Sequence, residues 1–223
     1  MNRRTLLARA TVPGGTAVLT LHRHGDDYSI DVAGRGTLMT TRRHASEDAL
    51  GRLPCERLAR ADAATVLIGG LGMGFTLAAA LAATGPAARV TVAELVPEIV
   101  DWNRGPLGEP SGHPLSDPRT TVHAGDVADL LRDPDRRFDV VALDVDNGPE
   151  GFSSSANAWL YSPGGVAAAR ESLVPGGVLA YWSATPDRRF AKRLREGGLR
   201  VSERSVFAHG RKGTRHTIWL AEA

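Results

Sequence analysis

The stretch that decides the fold reads Val66-Leu67-Ile68-Gly69-Gly70-Leu71-Gly72-Met73-Gly74-Phe75-Thr76-Leu77. An apolar run passes here into a helical segment through a glycine-rich loop. A strand that turns sharply into a helix brings its backbone against a ligand only where no Cβ blocks the approach. The loop therefore predicts a nucleoside site that includes Gly69, Gly70, Gly72 and Gly74. A tight turn without a ligand is the alternative.

Outward from this loop, apolar runs alternate with helical segments. Strands are predicted at 65–68, 89–94, 120–124, 138–144, 177–183, 199–207 and 214–220, and helices near 74–84, 96–104, 127–132, 163–173 and 187–196. Strands that are apolar throughout are covered on both faces, as in a parallel sheet, and repeated β-α units wind right-handed. Residues 62–223 are therefore predicted to form a Rossmann-like α/β domain with a doubly wound, mostly parallel sheet.

The N-terminal part of the chain has a different residue pattern. Residues 5–40 have the pattern of short strands separated by turn signals such as Pro13-Gly14-Gly15. We expect residues 1–44 to form a small antiparallel β subdomain. Ser46, followed by two acidic residues, is typical of a helix N-cap, and it predicts a linking helix over 45–61 that is kinked or split at Pro54.

One acidic residue, Glu94, ends the second predicted strand, and another, Asp126, follows the third. Glu94 can accept hydrogen bonds from both ribose hydroxyls of a nucleoside, or can serve as an acid at the start of the next helix. Asp126, in the pair Gly125-Asp126, can accept a hydrogen bond from an adenine amino group and can also cap the following helix. NAD would suit the glycine loop and Glu94. The glycine loop, Glu94 and Asp126 together form the arrangement of class I S-adenosylmethionine enzymes.

The fourth predicted strand ends in the acidic loop Asp144-Val145-Asp146-Asn147-Gly148-Pro149. Because adjacent strands in such a sheet open on one crevice, Asp144 is expected to face the reactive sulfonium of the ligand. A carboxylate there can hold an amine, attract a cation or accept the proton that a nucleophile loses. The rigid turn would present Asp146 to a substrate, although either acid could also serve only as a turn former.

These residues resemble the spermidine synthase family over about residues 36–178. The likeness is carried by the glycine loop and by the stretches 94–98, 117–119, 125–127, 160–162 and 173–177, together with the Asp144 loop. The resemblance implies a nucleoside site formed by Gly70, Gly72, Gly74, Glu94 at the ribose, Leu95, Gly125, and Asp126 with Val127 at the adenine. It also implies that Asp144 accepts a proton, that Tyr161 lies near the amine site, and that the protein is a dimer.

The chain departs from the family pattern at three places. Met73 stands where the family has an Asp that holds the aminopropyl amine, and Asn147 stands in place of a second acid. Residues 43–48 replace an acidic, tyrosine-containing stretch. Because Met73 removes the anchor of the aminopropyl amine, the sequence favours methyl transfer from S-adenosylmethionine to a small amine-like acceptor. The alternatives are aminopropyl transfer from decarboxylated S-adenosylmethionine, a non-catalytic nucleoside-binding protein, and an RNA-modifying enzyme that uses the basic loop 209–216.

Composition limits the remaining function classes. The 223 residues carry a formal charge of only +2, which is no strong sign of nucleic-acid binding. Cys55 is the single cysteine, so an internal disulfide is impossible and a cytoplasmic location is expected. No apolar run is long enough to span a membrane, and the seven histidines lack metal-ligand spacing. We expect a small-molecule acceptor and no metal.

Overall fold

The computed structural model describes residues 4–144, 155–209 and 212–223. Within these ranges the strands are β1 (Arg4–Thr11), β2 (Val18–His24), β3 (Asp27–Val32), β4 (Gly36–Thr40), β5 (Thr65–Gly69), β6 (Arg89–Glu94), β7 (Thr120–Ala124), β8 (Phe138–Leu143), β9 (Leu173–Ser183), β10 (Arg200–His209) and β11 (Lys212–Glu222). The α-helices are α1 (Ala45–Cys55), α2 (Phe75–Ala82), α3 (Pro97–Arg104), α4 (Gly108–Ser111), α5 (Val127–Arg132), α6 (Ser155–Leu160), α7 (Pro163–Glu171) and α8 (Arg188–Glu196).

The larger sheet has the strand order β10-β11-β9-β8-β5-β6-β7. Strands β5 to β9 pair in parallel, and β11 and β10 add two antiparallel strands at one edge. The predicted doubly wound, mostly parallel sheet is therefore confirmed. The order reverses between β5 and β8, and ligands of open α/β sheets bind in the crevice at such a point, beyond the carboxyl ends of the strands.

Side chains of β5 alternate between the two faces of this sheet. Val66 and Ile68 pack into the hydrophobic cluster that also holds the N-terminal sheet, α1 and α2, while Leu67 packs into the opposite cluster with α5, α7 and α8. All three side chains are fully buried. A strand that is covered on both faces is uniformly apolar, which explains why the sequence shows no polar alternation there.

The first four strands form a separate antiparallel sheet in the order β1-β2-β3-β4. Its apolar side chains, such as Leu21 and Ile30, join the same core cluster as Val66. Strand β4 carries Met39, whose sulfur lies against Gly72 of the glycine loop. The N-terminal sheet therefore covers the crevice at the reversal point of the larger sheet, and its β4 strand supplies one wall.

Helix α1 packs closely against α2, because a glycine stands at the crossing. A Cβ on Gly51 would collide with the carbonyl oxygen of Thr76 and with the backbone of Ala80. This close approach holds the first turn of α1, and with it Glu47, beside Thr76 at the start of α2 and Asp144 at the end of β8.

Two details of the sequence-based prediction of α1 are wrong. Ser46 does not cap α1: the helix starts at Ala45, and the buried Ser46 hydroxyl contacts Glu47 and His216 instead. The helix ends at Cys55, so Pro54 lies in its last turn and no kinked segment continues to 61. Helix α8 is capped by Asp187, whose carboxylate accepts hydrogen bonds from the amides of residues 189 and 190.

The described residues of the basic loop, 209 and 212–216, lie in the two strands of a hairpin. Strand β10 ends at His209 and β11 begins at Lys212, and these two residues pair across the strands. Among the helices in the described ranges, none has the length and apolar character required to cross a membrane.

Candidate active site

Two adjoining cavities open at the reversal point of the sheet. The apolar cavity, of about 140 Å³, is lined by residues from the glycine loop, the end of β6 and the start of α5. The acidic cavity, of about 250 Å³, lies between α1, α2, β4 and β11. Among the residues that the structure describes, four line both cavities: Leu38, Met39, Gly72 and Asp144. A ligand that fills one cavity therefore meets a ligand in the other beside Asp144.

Gly70 and Gly72 bring the backbone of the loop to the apolar cavity. Both have positive φ angles, 92° and 52°, which residues with a Cβ rarely adopt. A Cβ on Gly72 would lie 3.2 Å from the Met39 sulfur. The loop is fixed by helix α3, since the Asn103 side-chain amide donates a hydrogen bond to the Gly72 carbonyl at 2.9 Å.

The other two glycines of the loop serve packing. A Cβ on Gly69 would crowd Leu143 and Val127, and one on Gly74 would meet Asn103 and the residues behind it. Neither glycine lines either cavity. The structure therefore brings only half of the predicted glycine set to the crevice, because the other two make room for neighbouring elements of the fold.

Glu94 lies in the wall of the apolar cavity and is only 6% exposed. Its Oε2 accepts a hydrogen bond from the Leu71 amide and its Oε1 accepts one from the Val96 amide, each at 2.9 Å. Burial raises the pKa of Glu94, and these backbone amides oppose the rise. The carboxylate thus ties the glycine loop to the segment that enters α3.

The predicted adenine end of the site is also assembled. Leu95, Gly125, Asp126 and Val127 all line the apolar cavity. Asp126 caps α5 at the same time, since its Oδ1 accepts the Ala128 amide at 2.9 Å. The two roles that the sequence allowed for Asp126 are therefore compatible.

Asp144 follows β8 directly and is fixed at the junction of the cavities. Its amide donates to the Gly69 carbonyl at 2.8 Å, and its Oδ2 accepts the Thr76 hydroxyl at 3.1 Å. Burial raises the pKa of Asp144 to about 7, with further contributions from the negative charges of Glu47 and Glu94. Asp144 consequently exchanges its proton near neutral pH.

Glu47 is a site residue that the sequence analysis did not identify. It lines the acidic cavity from the first turn of α1, and burial raises the pKa of its carboxyl group. The signal in the sequence was the stretch 43–48, which replaces the acidic segment of the spermidine synthase pattern. Two carboxyl groups with raised pKa values in one cavity favour a cationic ligand, because its charge relieves their repulsion.

Two predicted catalytic residues do not belong to the described site. Tyr161 is 3% exposed and packs against Tyr181 and Phe190, with ring centroids 5.6 Å and 5.2 Å away. It lines neither cavity, because its ring is taken up by the hydrophobic cluster on the other face of the sheet. Asp146 lies outside the described residues. Met73, which is buried, lines the acidic cavity.

Solved structures similar to this one include spermidine synthases. A spermidine synthase in complex with the transition state analogue AdoDATO matches with a TM-score of 0.76 and 16% sequence identity, over 97% of this chain and 72% of that chain. Spermidine synthase from Thermotoga maritima matches with a TM-score of 0.77 and 17% identity over the same shares. No family model matches the chain, and no curated protein sequence matches it significantly. The chain therefore has the spermidine synthase fold, a Rossmann-like fold of the class I methyltransferase type.

Proposed function

We propose that this protein transfers an aminopropyl group from decarboxylated S-adenosylmethionine to a small amine. The observation that carries the proposal is the position of Asp144, where an apolar cavity at the glycine loop meets a cavity with a second carboxyl group, that of Glu47. A donor and an acceptor in the two cavities would have their reacting atoms side by side. Positioning of this kind supplies much of the rate enhancement of a two-substrate reaction.

The donor's adenosyl group is assigned to the apolar cavity. Gly70 and Gly72 would contact it through their backbone, and Glu94 would accept hydrogen bonds from the ribose hydroxyls. Leu95, Gly125, Asp126 and Val127 would surround the adenine. Gly69 and Gly74 support this site through packing. The sulfonium would then lie near Asp144, whose negative charge attracts it.

The acceptor is assigned to the acidic cavity, where Asp144 and Glu47 attract its ammonium group. The amine, once neutral, attacks the carbon attached to the sulfonium in line with the breaking C–S bond. The bonding electrons pass to sulfur, which leaves as a neutral thioether. Asp144 steers the amine to this attack and stabilises the positive charge that the nitrogen gains.

Electrostatics favours the decarboxylated donor over S-adenosylmethionine. The tail of either donor leaves the sulfur at the junction and runs into the acidic cavity, beside Glu47 and Asp144. The tail of S-adenosylmethionine carries a carboxylate that these two groups repel, whereas the aminopropyl tail carries only an ammonium group. The spermidine synthase fold supports the same choice.

Methyl transfer from S-adenosylmethionine is the second candidate, and Met73 is the observation that favours it. An apolar side chain stands where the spermidine synthase pattern has the Asp that binds the aminopropyl ammonium. In the aminopropyl proposal, Met73 flanks the propyl chain and the ammonium group is bound by Glu47 or Asp144 instead.

The test incubates the protein with each donor and 1,4-diaminobutane, and analyses the amine by mass spectrometry. We expect an aminopropylated product from the decarboxylated donor, and a strongly reduced rate in Asp144→Asn. Asp129→Asn, an exposed position on α5, is the matched control and should retain full activity. A methylated product would support the second candidate. Unchanged turnover in Asp144→Asn would remove the catalytic role of that residue.

We further propose a cytoplasmic homodimer. The single cysteine, Cys55, is free and buried, which suits a reducing compartment. Light scattering on the purified protein tests the dimer through its molar mass.

A further inference from the structure

His216 lines the acidic cavity from β11, and its ring is held on two sides. The indole of Trp182 packs edge-on against it, with ring centroids 4.7 Å apart and an interplanar angle of 73°. Its Nδ1 lies 2.8 Å from the hydroxyl oxygen of Ser46. Ser46 is fully buried in the first turn of α1, so this contact belongs to the packed wall of the acidic cavity.

The hydroxyl of Ser46 determines which ring nitrogen carries the proton. Ser46 donates its only hydroxyl hydrogen to the carboxylate of Glu47. Its oxygen can therefore contact Nδ1 of His216 only as an acceptor, which requires hydrogen on Nδ1. In the neutral imidazole, Nε2 then has the free lone pair, and it is the nitrogen left for a ligand because Nδ1 faces Ser46.

Charged groups around this ring come from three elements in the described part of the chain. Arg43 lies before α1, Glu47 contacts the ring through Ser46, and Asp144 lies across the cavity at the end of β8. Burial, assisted by the charge of Arg43, lowers the pKa of His216, which favours the neutral ring at neutral pH. The relay through Ser46 places the Glu47 charge where it stabilises the imidazolium once it forms.

We propose that His216 removes the proton from the acceptor ammonium through Nε2, while Ser46 and Glu47 fix its tautomer and balance its charge. The inference rests on the proposed function and deepens it. The ammonium N–H bond breaks, and its proton passes to Nε2. The freed lone pair forms the new C–N bond while the C–S electrons move to sulfur. Reactants and products both carry two positive charges: ammonium and sulfonium before the step, imidazolium and secondary ammonium after it.

This assignment separates two tasks in the cavity. Asp144, at the junction, attracts the ammonium group and directs it at the donor. His216 accepts the proton and releases it to solvent afterwards. A carboxylate that keeps its negative charge throughout the step stabilises the positive nitrogen better than one that becomes neutral by taking the proton.

The tautomer is tested without any turnover, by long-range ¹H–¹⁵N correlation spectra of the ¹⁵N-histidine-labelled protein, with His216→Gln used to assign the signals. We expect the Nδ1–H tautomer in the wild type and its loss in Ser46→Ala. Addition of 1,4-diaminobutane should shift the Nε2 resonance of His216. An Nε2–H tautomer, or an Nε2 resonance that the diamine leaves unchanged, would overturn the inference even if the enzyme proves active.

Kinetics test the proton transfer itself. In His216→Gln we expect kcat with decarboxylated S-adenosylmethionine and 1,4-diaminobutane to fall roughly 10²–10⁴-fold at pH 7. The loss should shrink as the pH rises, since the amine then loses its proton to solvent. Donor affinity by calorimetry should equal that of the wild type, which shows that the variant is folded. His24→Gln, in the N-terminal sheet, is the control and should retain wild-type rates.

The outcomes separate the inference from the proposed function. If the wild type converts the substrates and His216→Gln is equally active at pH 7, the inference alone is overturned, and Asp144 is then the proton acceptor. A wild type that binds no donor overturns the proposed function. A pH-independent loss in His216→Gln would show a structural role and would likewise overturn the proton transfer.

Discussion

Asp144→Asn should make the unliganded protein more stable above neutral pH. Burial and the neighbouring charges raise the pKa of Asp144 from 3.8 to about 7, so the folded state holds this proton more tightly than the unfolded state. The stability associated with that proton is fully present below pH 3.8 and is lost as the pH rises through 7. Asparagine has the same shape, still accepts from the Thr76 hydroxyl, and has no charge to bury.

The size of the effect follows from the two pKa values. The shift from 3.8 to about 7 corresponds to about 4 kcal/mol in total. Roughly 2–3 kcal/mol of this is lost between pH 5 and pH 8. The Asp144 carboxylate retains some contact with water in the cavities, which reduces the expected loss to about 2 kcal/mol.

Urea denaturation of both proteins at pH 5 and pH 8 measures this loss. The stability of Asp144→Asn relative to the wild type should increase by about 2 kcal/mol from pH 5 to pH 8, and the comparison cancels any effect that does not depend on pH. Asp129→Asn, exposed on α5, should show no such change. A relative stability that is the same at both pH values would refute the account of Asp144 as a carboxyl group under electrostatic strain.

Three further predictions test other parts of the site. Gly72→Val should abolish donor binding and lower the free energy of unfolding by about 1–2 kcal/mol, because φ at this position is +52° and the new side chain meets Met39. Calorimetry measures the donor binding, and urea denaturation measures the stability. Glu47→Gln should raise the KM for 1,4-diaminobutane roughly tenfold, about 1.4 kcal/mol, and an unchanged KM would place the amine elsewhere. Gly51→Ala should destabilise the protein by about 1–3 kcal/mol, because α1 must move away from Thr76 to make room for the new Cβ. The higher helix propensity of alanine is too small to offset this loss. Equal or higher stability would contradict the packing described for α1 and α2.

The sequence predicts those parts of the molecule that depend on local pattern. The apolar runs and the loop 69–74 identify the doubly wound sheet, since a strand buried on both faces must be apolar and a close backbone approach needs glycine. Asp126 and Asp144 could be placed because each lies within two residues of the end of a strand, and strand ends of a parallel sheet meet at one edge.

Features that depend on contacts between distant segments could not be predicted. Glu47 has the sequence signature of an ordinary helix-start acid, and only the close packing at Gly51 brings it to the cavity. Ser46 has the signature of an N-cap, yet its partner His216 is 170 residues away. The aromatic ring of Tyr161 could equally serve a site or a core, and the cluster with Phe190 decides for the core.

The most direct test of the account is calorimetric titration of the protein at pH 8 with decarboxylated S-adenosylmethionine, S-adenosylmethionine and methylthioadenosine, with Gly72→Val as the control. We expect the decarboxylated donor to bind at least tenfold more tightly than S-adenosylmethionine, since the ionised Asp144 and Glu47 repel a carboxylate tail, and we expect no binding to the variant. Absence of binding for all three compounds would contradict the assignment of the apolar cavity to an adenosyl sulfur compound.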